Sequence, residues 1–284
     1  TIASTSDASV VRVDLTPPTL PTVSIVSSNA NDTARASVGD TITITIVASE
    51  AITEPRVMIA DSDATVSGDL HGNSYTAEYM ITEDSVVEEG IASLSIVFED
   101  LASNAGTTVT SVSDGSAVTI DLTAPELTTV SIASDNDDYP SVANEGDVIT
   151  VTLTANEDVT GVSVSIAGQV ATVSGSGGTY TGTYTVDAAD VTGGVTALLE
   201  IDFRDLASNS GTTVIAVTDA SIVTIDLTAP TLTLVRLVSS NANDASLANS
   251  GDTITLSLTA SEAIVLPSVL LGGQVASVTG DDVS

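Results

Sequence analysis

One feature constrains this chain more than any other: it repeats itself about every 105 residues. VRVDLTPP (11–18), VTIDLTAP (118–125) and VTIDLTAP (223–230) recur at offsets of 107 and 105 residues. TITITIVASEAI (41–52), VITVTLTANEDV (148–159) and TITLSLTASEAI (253–264) keep both offsets, and FEDLASNAGTTV (98–109) returns as FRDLASNSGTTV (203–214). The two-residue difference falls in one place, VSGDLHGNSY (66–75) against VSGSGGTY (173–180), a Gly-rich hairpin tip. A period of this length is that of a tandem array of domains. The frame assigns 1–16 to the C-terminal strand of a preceding repeat, 17–123 and 124–228 to complete repeats, and 229–284 to the first half of a further one. The head supplies one strand and the tail lacks three, so the repeats are expected to continue on both sides.

Within a repeat, runs of period-2 alternation are separated by Gly, Asn, Asp and Ser turns, which predicts strands throughout. In the first complete repeat the expected strands are A (20–27), B (41–49), C (55–60), D (63–67), E (74–81), F (91–98) and G (115–121). Strand B shows the pattern best: Ile42, Ile44 and Ile46 alternate with Thr41, Thr43 and Thr45. Seven short strands in one repeat predict an all-β fold, a series of immunoglobulin-like β-sandwiches set end to end. The prolines after each G strand mark the junctions. Almost no linker separates the repeats, which favours a stiff rod.

Composition then excludes functions. Five Lys+Arg face 38 Asp+Glu, a formal net charge of −33, and all five cations are arginines. Such a polyanion repels phosphate backbones, so nucleic acid is not an expected partner. Without cysteine there is no disulfide, thiolate metal site or Cys nucleophile, and without lysine no Schiff base. No run of 18 apolar residues occurs, so this segment is not expected to enter a membrane. The aromatic residues recur with the repeat (Tyr75 with Tyr180, Tyr79 with Tyr184, Phe98 with Phe203), which marks them as core or sheet-corner residues. The single histidine, His71, sits in the hairpin tip with no second acid–base partner in view, so no enzyme is expected.

The carboxylates collect at strand ends. In a seven-strand sandwich the B–C and F–G turns lie at the pole of the incoming linker, and the A–B and E–F turns at the other. At the junction of the two complete repeats this gathers Asn29, Asn31, Asp32, Glu83 and Asp84 from the first repeat, Asp121 from the linker, and Glu157, Asp205 and Asn209 from the second. The next junction repeats the set with Asp137, Asp138, Asp226 and Glu262, and Glu50 stands in the first repeat where Glu157 stands in the second. Oxygen donors on turns, with no His or Cys, suit a hard cation, and calcium accepts six to eight such oxygens with loose geometry. Nothing basic is expected nearby to offset the repulsion, so a divalent ion would turn it into a clamp. The plainer reading is of solvated turns whose charge keeps a β-protein soluble. The linker and F–G aspartates recur in register. The A–B acids do not: the first and third repeats carry one there and the second carries three.

The pairing of FEDLASNAG or FRDLASNSG with VTIDLTAP resembles the bacterial Ig-like repeats of giant calcium-dependent surface adhesins of the RTX and biofilm type, over essentially the whole chain. It departs at Ser103 and Ser208, where Gly is usual, and at Pro17, in place of the junction Ala. The resemblance implies a secreted, cell-surface extender rigidified by calcium, with Asp14, Asp121, Asp226, Asp100, Asp205, Asn104 and Asn209 carrying the ion sites. Its partners would be neighbouring repeats of the same chain. The alternative is a repeat segment of an extracellular filament, sheath or surface layer that self-associates into fibres.

Overall fold

A computed structural model of the chain describes residues 9–189 and 193–280, and none of these residues is helical. The chain divides into two compact units, 1–191 with 196–224, and 192–195 with 225–284. In the first repeat the strands are β1 (Thr22–Ser27), β2 (Arg35–Ala36), β3 (Thr41–Val47), β4 (Arg56–Ile59), β5 (Ser62–Asp63), β6 (Thr65–Gly68), β7 (Ser74–Met80), β8 (Gly90–Ile91), β9 (Leu94–Val97) and β10 (Thr119–Ile120). They form sheets in the orders β1-β3-β7-β6 and β5-β4-β9, with a small third sheet β2-β10-β8. This is the immunoglobulin-like sandwich that the alternation predicts.

Register explains the core. Ile25 pairs with Ile44, which pairs with Ala77, while Val57 pairs with Ile96 in the facing sheet. Ile42, Ile44 and Ile46 are fully buried, as are Ile59 and Ile96. Each such side chain contributes roughly 1.5–3 kcal/mol. The alternating threonines of β3 point away from this core, as the period-2 pattern requires. Tyr75 is buried and its hydroxyl donates to the Ile52 carbonyl at 2.9 Å. Tyr180 does the same to Val159 at 2.8 Å, so both serve as sheet-corner residues.

The second repeat reproduces this plan with β11 (Leu127–Ser134), β12 (Val142–Ala143), β13 (Val148–Ala155), β14 (Val159–Ile166), β15 (Gln169–Val170), β16 (Thr172–Ser176), β17 (Thr179–Thr185), β18 (Val195–Thr196), β19 (Leu199–Asp205) and β20 (Thr224–Ile225). Its main sheets run β11-β13-β17-β16 and β15-β14-β19.

Strand G is shorter than the sequence predicts: two residues instead of 115–121. Upstream of it, serine hydroxyls replace a ladder. Ser113 Oγ accepts from Val23 N and Ser116 Oγ from Ile25 N, both at 2.9 Å. Thr218 and Ser221 serve Val130 and Ile132 in the same way. Of the segment 1–16, where a strand of a preceding repeat is expected, residues 9–16 are irregular and 1–8 lie outside the described residues. A strand's N–H and C=O groups need a partner, and none of the described strands pairs with this segment.

The other unit holds β21 (Leu232–Ser239) paired with β22 (Ile254–Ala260), and the hairpin of β23 (Leu270–Leu271) and β24 (Gln274–Val275). Val235 and Leu237 are 58% and 57% exposed, although their counterparts Val130 and Ile132 are buried. An open cleft of ≈ 1160 Å³ runs along β22. Among the described residues of this unit, no strand corresponds to β16, β17 or β19 of the second repeat.

Candidate metal centre

The acidic residues are placed by turns that the sequence builds twice. Asp100 follows β9 and bridges to Ile52, beside the B–C turn that carries Glu50. Asp205 ends β19 opposite Val159, beside the turn that carries Glu157. Behind each turn an aromatic ring is seated on a glycine. A Cβ added to Gly106 would lie 2.3 Å from the Phe98 ring, and one on Gly211 would lie 2.3 Å from Phe203. Ser103 and Ser208 hold positive φ of 64° and 79°, the left-handed conformation that closes the turn. Their N–H groups donate to the carbonyls of Asp100 and Asp205 at 3.1 and 3.3 Å.

Two triads result, Asp14 with Glu50 and Asp100, and Asp121 with Glu157 and Asp205. In each, one carboxylate oxygen per residue lies within 4.8 Å of the others. Oxygens bound to one calcium at 2.3–2.6 Å span at most about 5 Å, so this spacing suits a single ion. A cleft of ≈ 270 Å³ opens at the first triad, lined by Asp14, Glu50, Ala51, Asp100, Leu101 and Ala102. Asp100 and Asp205 are buried, at 2% and 1% exposure.

The two asparagines bind the carboxylates. Asn104 donates its backbone N–H to Asp100 Oδ1 at 2.8 Å and its side-chain Nδ2 to Oδ2 at 2.7 Å. Asn209 holds Asp205 through the same two bonds, both at 2.8 Å. The Nδ2 atoms also reach the linker, Asn104 to the Asp14 carbonyl at 3.2 Å and Asn209 to the Asp121 carbonyl at 2.9 Å. Each asparagine thus ties an F–G turn to the incoming linker. The side-chain bond from Asn104 is the main reason the Asp100 carboxyl titrates below its ordinary value. Asp121 and Glu157 move the other way. Burial raises both, and for Glu157 the charges of Asp121 and Asp205 add to the rise.

The remaining expected residues are placed differently. Asn31 donates Nδ2 to Ser208 Oγ at 2.9 Å, a direct bond between the repeats. Asp32 lies 3.5 Å from Arg35, outside the triad. Asp84 is exposed and forms no hydrogen bond among the described residues; the E–F contact to the linker comes from Glu89, which accepts from Leu122 N at 2.9 Å and Thr123 Oγ1 at 2.8 Å. Asp137 and Asp138 are exposed on the A–B turn of the second repeat. In the other unit, Asp226 accepts from Thr228 N at 2.9 Å, and Glu262 Oε1 is buried without a hydrogen-bond partner.

One expectation is overturned. A basic group does lie at the second triad: Arg35 Nη1 is 3.9 Å from Asp121 Oδ2. The pairing of β2 with β10 is parallel, with Arg35 opposite Thr119, and this brings the guanidinium alongside the next acidic residue of the strand. Charge counting along the chain misses it because the two residues are 86 positions apart. Asn29, expected at this junction, is 1% exposed, with Nδ2 3.4 Å from the Leu206 carbonyl of the next repeat. His71 is exposed at a hairpin position with φ of 66°.

No family model matches the chain, and no curated protein matches it. Among solved structures, it is similar to the fibronectin(III)-like modules of Clostridium thermocellum CbhA at 14% identity, over 72% of this chain and 93% of that one, with a TM-score of 0.33. A tandem from titin matches at 14% identity over 72% of this chain and 65% of that one, with a TM-score of 0.31. The sialic acid binding region of a Streptococcus sanguinis adhesin matches at 11% identity, over 76% and 78% of the two chains, with a TM-score of 0.23.

Proposed function

We propose that this chain is a non-catalytic extender segment of a secreted bacterial surface adhesin, its joints stiffened by calcium. The observation that carries the reading is the recurrence of one oxygen-only triad at two successive linkers, with ligand atoms close enough for one ion. Asp14, Glu50 and Asp100 would hold one ion, and Asp121, Glu157 and Asp205 the next. When bound, calcium supplies the positive charge that lets three carboxylates share one small volume. The protein does the rest. Asn104 and Asn209 hold the aspartates in place and draw in the linker, and the Phe–Gly contacts keep the F–G turns from shifting. A linker tied at both ends loses the freedom to bend, so a row of sandwiches would act as a beam.

Extracellular modules bind calcium at dissociation constants of about 10⁻⁴–10⁻³ M. At tenfold excess over such a constant, each site adds about 1.4 kcal/mol. Melting curves and small-angle scattering of the 284-residue chain, with calcium and then with EDTA, test the reading. Chelation should lower the melting temperature and increase the spread of interdomain angles. If neither changes, the calcium joint is wrong.

A further inference from the structure

The second triad already has a cation beside it, and that cation is part of the chain. Arg35 stands on β2, half-exposed, with Nη1 3.9 Å from Asp121 Oδ2 and Nε 3.5 Å from Asp32 Oδ2. The residue is also peculiar to its repeat. Counting back from the shared Gly-Asp turn, the positions that match Arg35 are Val142 and Leu247. The fold agrees, since Thr119 N donates to the Ala34 carbonyl as Thr224 N does to that of Ser141.

The same joint has metal-free fasteners. Asn31 donates to Ser208, and Asn29 reaches Leu206 and Ser208 in the next repeat. We infer that Arg35 is a tethered counter-ion of this joint, which steadies it when no divalent cation is bound and competes with one that binds. The first half stands on the ion pairs alone; the second rests on the calcium reading above. The charge argument has a definite sign. A guanidinium among the carboxylates relieves their mutual repulsion, and the same positive charge repels an incoming cation. Joints would then differ in their demand for calcium according to the repeat before them: the first complete repeat carries Arg35 at this position and the second carries Val142.

Substituting Arg35→Val, the residue found in the second repeat, tests this in the 284-residue chain, with Arg35→Lys as the charge-preserving control. In EDTA, R35V should melt below the wild type and R35K near it. In calorimetric titration with calcium chloride, R35V should bind about three- to tenfold tighter at one class of site, a range discounted for the exposure of Arg35. The other class should be unchanged, and R35K should follow the wild type. Calcium binding seen only in R35V would support the competition most strongly. Equal affinity in wild type and R35V overturns the competition while the calcium joint stands. No binding in either protein overturns the calcium joint and the competition together. An unchanged melting temperature for R35V in EDTA overturns the steadying role, and R35K behaving like R35V overturns the assignment to charge.

Discussion

The two triads share their residue types and differ in their surroundings. Asp14, Glu50 and Asp100 stand at one linker, and their counterparts Asp121, Glu157 and Asp205 at the next. Asp121 is partly covered by the complete repeat before it, faced by Arg35 and close enough to Glu89 to feel its charge, whereas Asp14 has no such repeat before it in this sequence and is exposed. The difference shows how a joint is divided between domains. The linker and the following repeat's B–C and F–G turns supply the carboxylates. The preceding repeat's A–B and E–F turns supply what covers them: Asn29, Asn31, Arg35 and Glu89. Repeats can therefore keep one ligand set while each joint is tuned by the domain before it.

The largest effect should test whether both F–G turns are held in the same way. Gly106→Ala and Gly211→Ala each drive a methyl into a phenylalanine ring, and overpacking of this kind costs about 1–3 kcal/mol. Chemical denaturation of the two variants should show similar losses, together with weaker calcium binding at the affected joint. A large loss in one and none in the other would break the equivalence of the turns.

Acid should separate the triads by sign. Burial raises Asp121 and Glu157 above their ordinary values of 3.8 and 4.5, so their ionised forms oppose folding. The folded state then holds more protons, and stability falls as pH rises from those values through the raised ones. Asp100 is lowered from 3.8, chiefly by its bond from Asn104. Its contribution is present above 3.8 and is lost as pH falls through the lower folded value. In EDTA, melting curves should therefore show stability rising on acidification from neutral pH toward 4.5, with no such rise in the double variant Asp121→Asn, Glu157→Gln. Below 3.8 the wild type should lose stability more steeply than Asp100→Asn. Calcium should reverse the first trend, because protons compete with the ion for the same oxygens. A metal-free profile that only falls with acid would remove the distinction.

A smaller effect belongs to the second joint alone. Asn31→Ala deletes the 2.9 Å bond to Ser208 and should cost about 0.5–1 kcal/mol. A double-mutant cycle with Ser208→Ala isolates the coupling between the two repeats. Zero coupling would mean that solvent replaces the contact without loss.

Much of this molecule was legible in its sequence, for identifiable reasons. Ile42, Ile44 and Ile46 alternate with threonines, and a half-buried sheet leaves no other way to bury them. The offset between repeats placed Asp121 with Glu157 and Asp205, because strand order fixes which turns share a pole. What failed was anything set by backbone pairing between distant segments. The β2–β10 pairing is only two residues long and parallel, so no alternation announces it, yet it decides that Arg35 meets Asp121. The sequence points to Glu83 and Asp84 rather than Glu89 because the E–F loop is irregular, and only its folded path shows which acid reaches Leu122 and Thr123. Strand G is shorter than its alternation predicts because Ser113 and Ser116 use side-chain hydroxyls where a ladder would use carbonyls.

The smallest effect discriminates most finely between the joints. Ser103 and Ser208 are both held at positive φ, where a side chain is strained and glycine is not. Replacing Ser103 with Gly should relieve that strain and stabilise the first turn by about 0.5 kcal/mol, net of glycine's greater freedom in the unfolded chain. Ser208→Gly gains the same relief but deletes the hydroxyl that accepts from Asn31 and lies 3.5 Å from Asn29 Oδ1. Its gain should be cancelled by that loss, leaving a melting temperature near that of the wild type. If the two glycine variants are equally stabilised, the hydroxyl of Ser208 contributes nothing across the joint. If Ser208→Gly melts below the wild type while Ser103→Gly melts above it, the serine at the second joint acts as a fastener for the preceding repeat, at the expense of the turn that carries it.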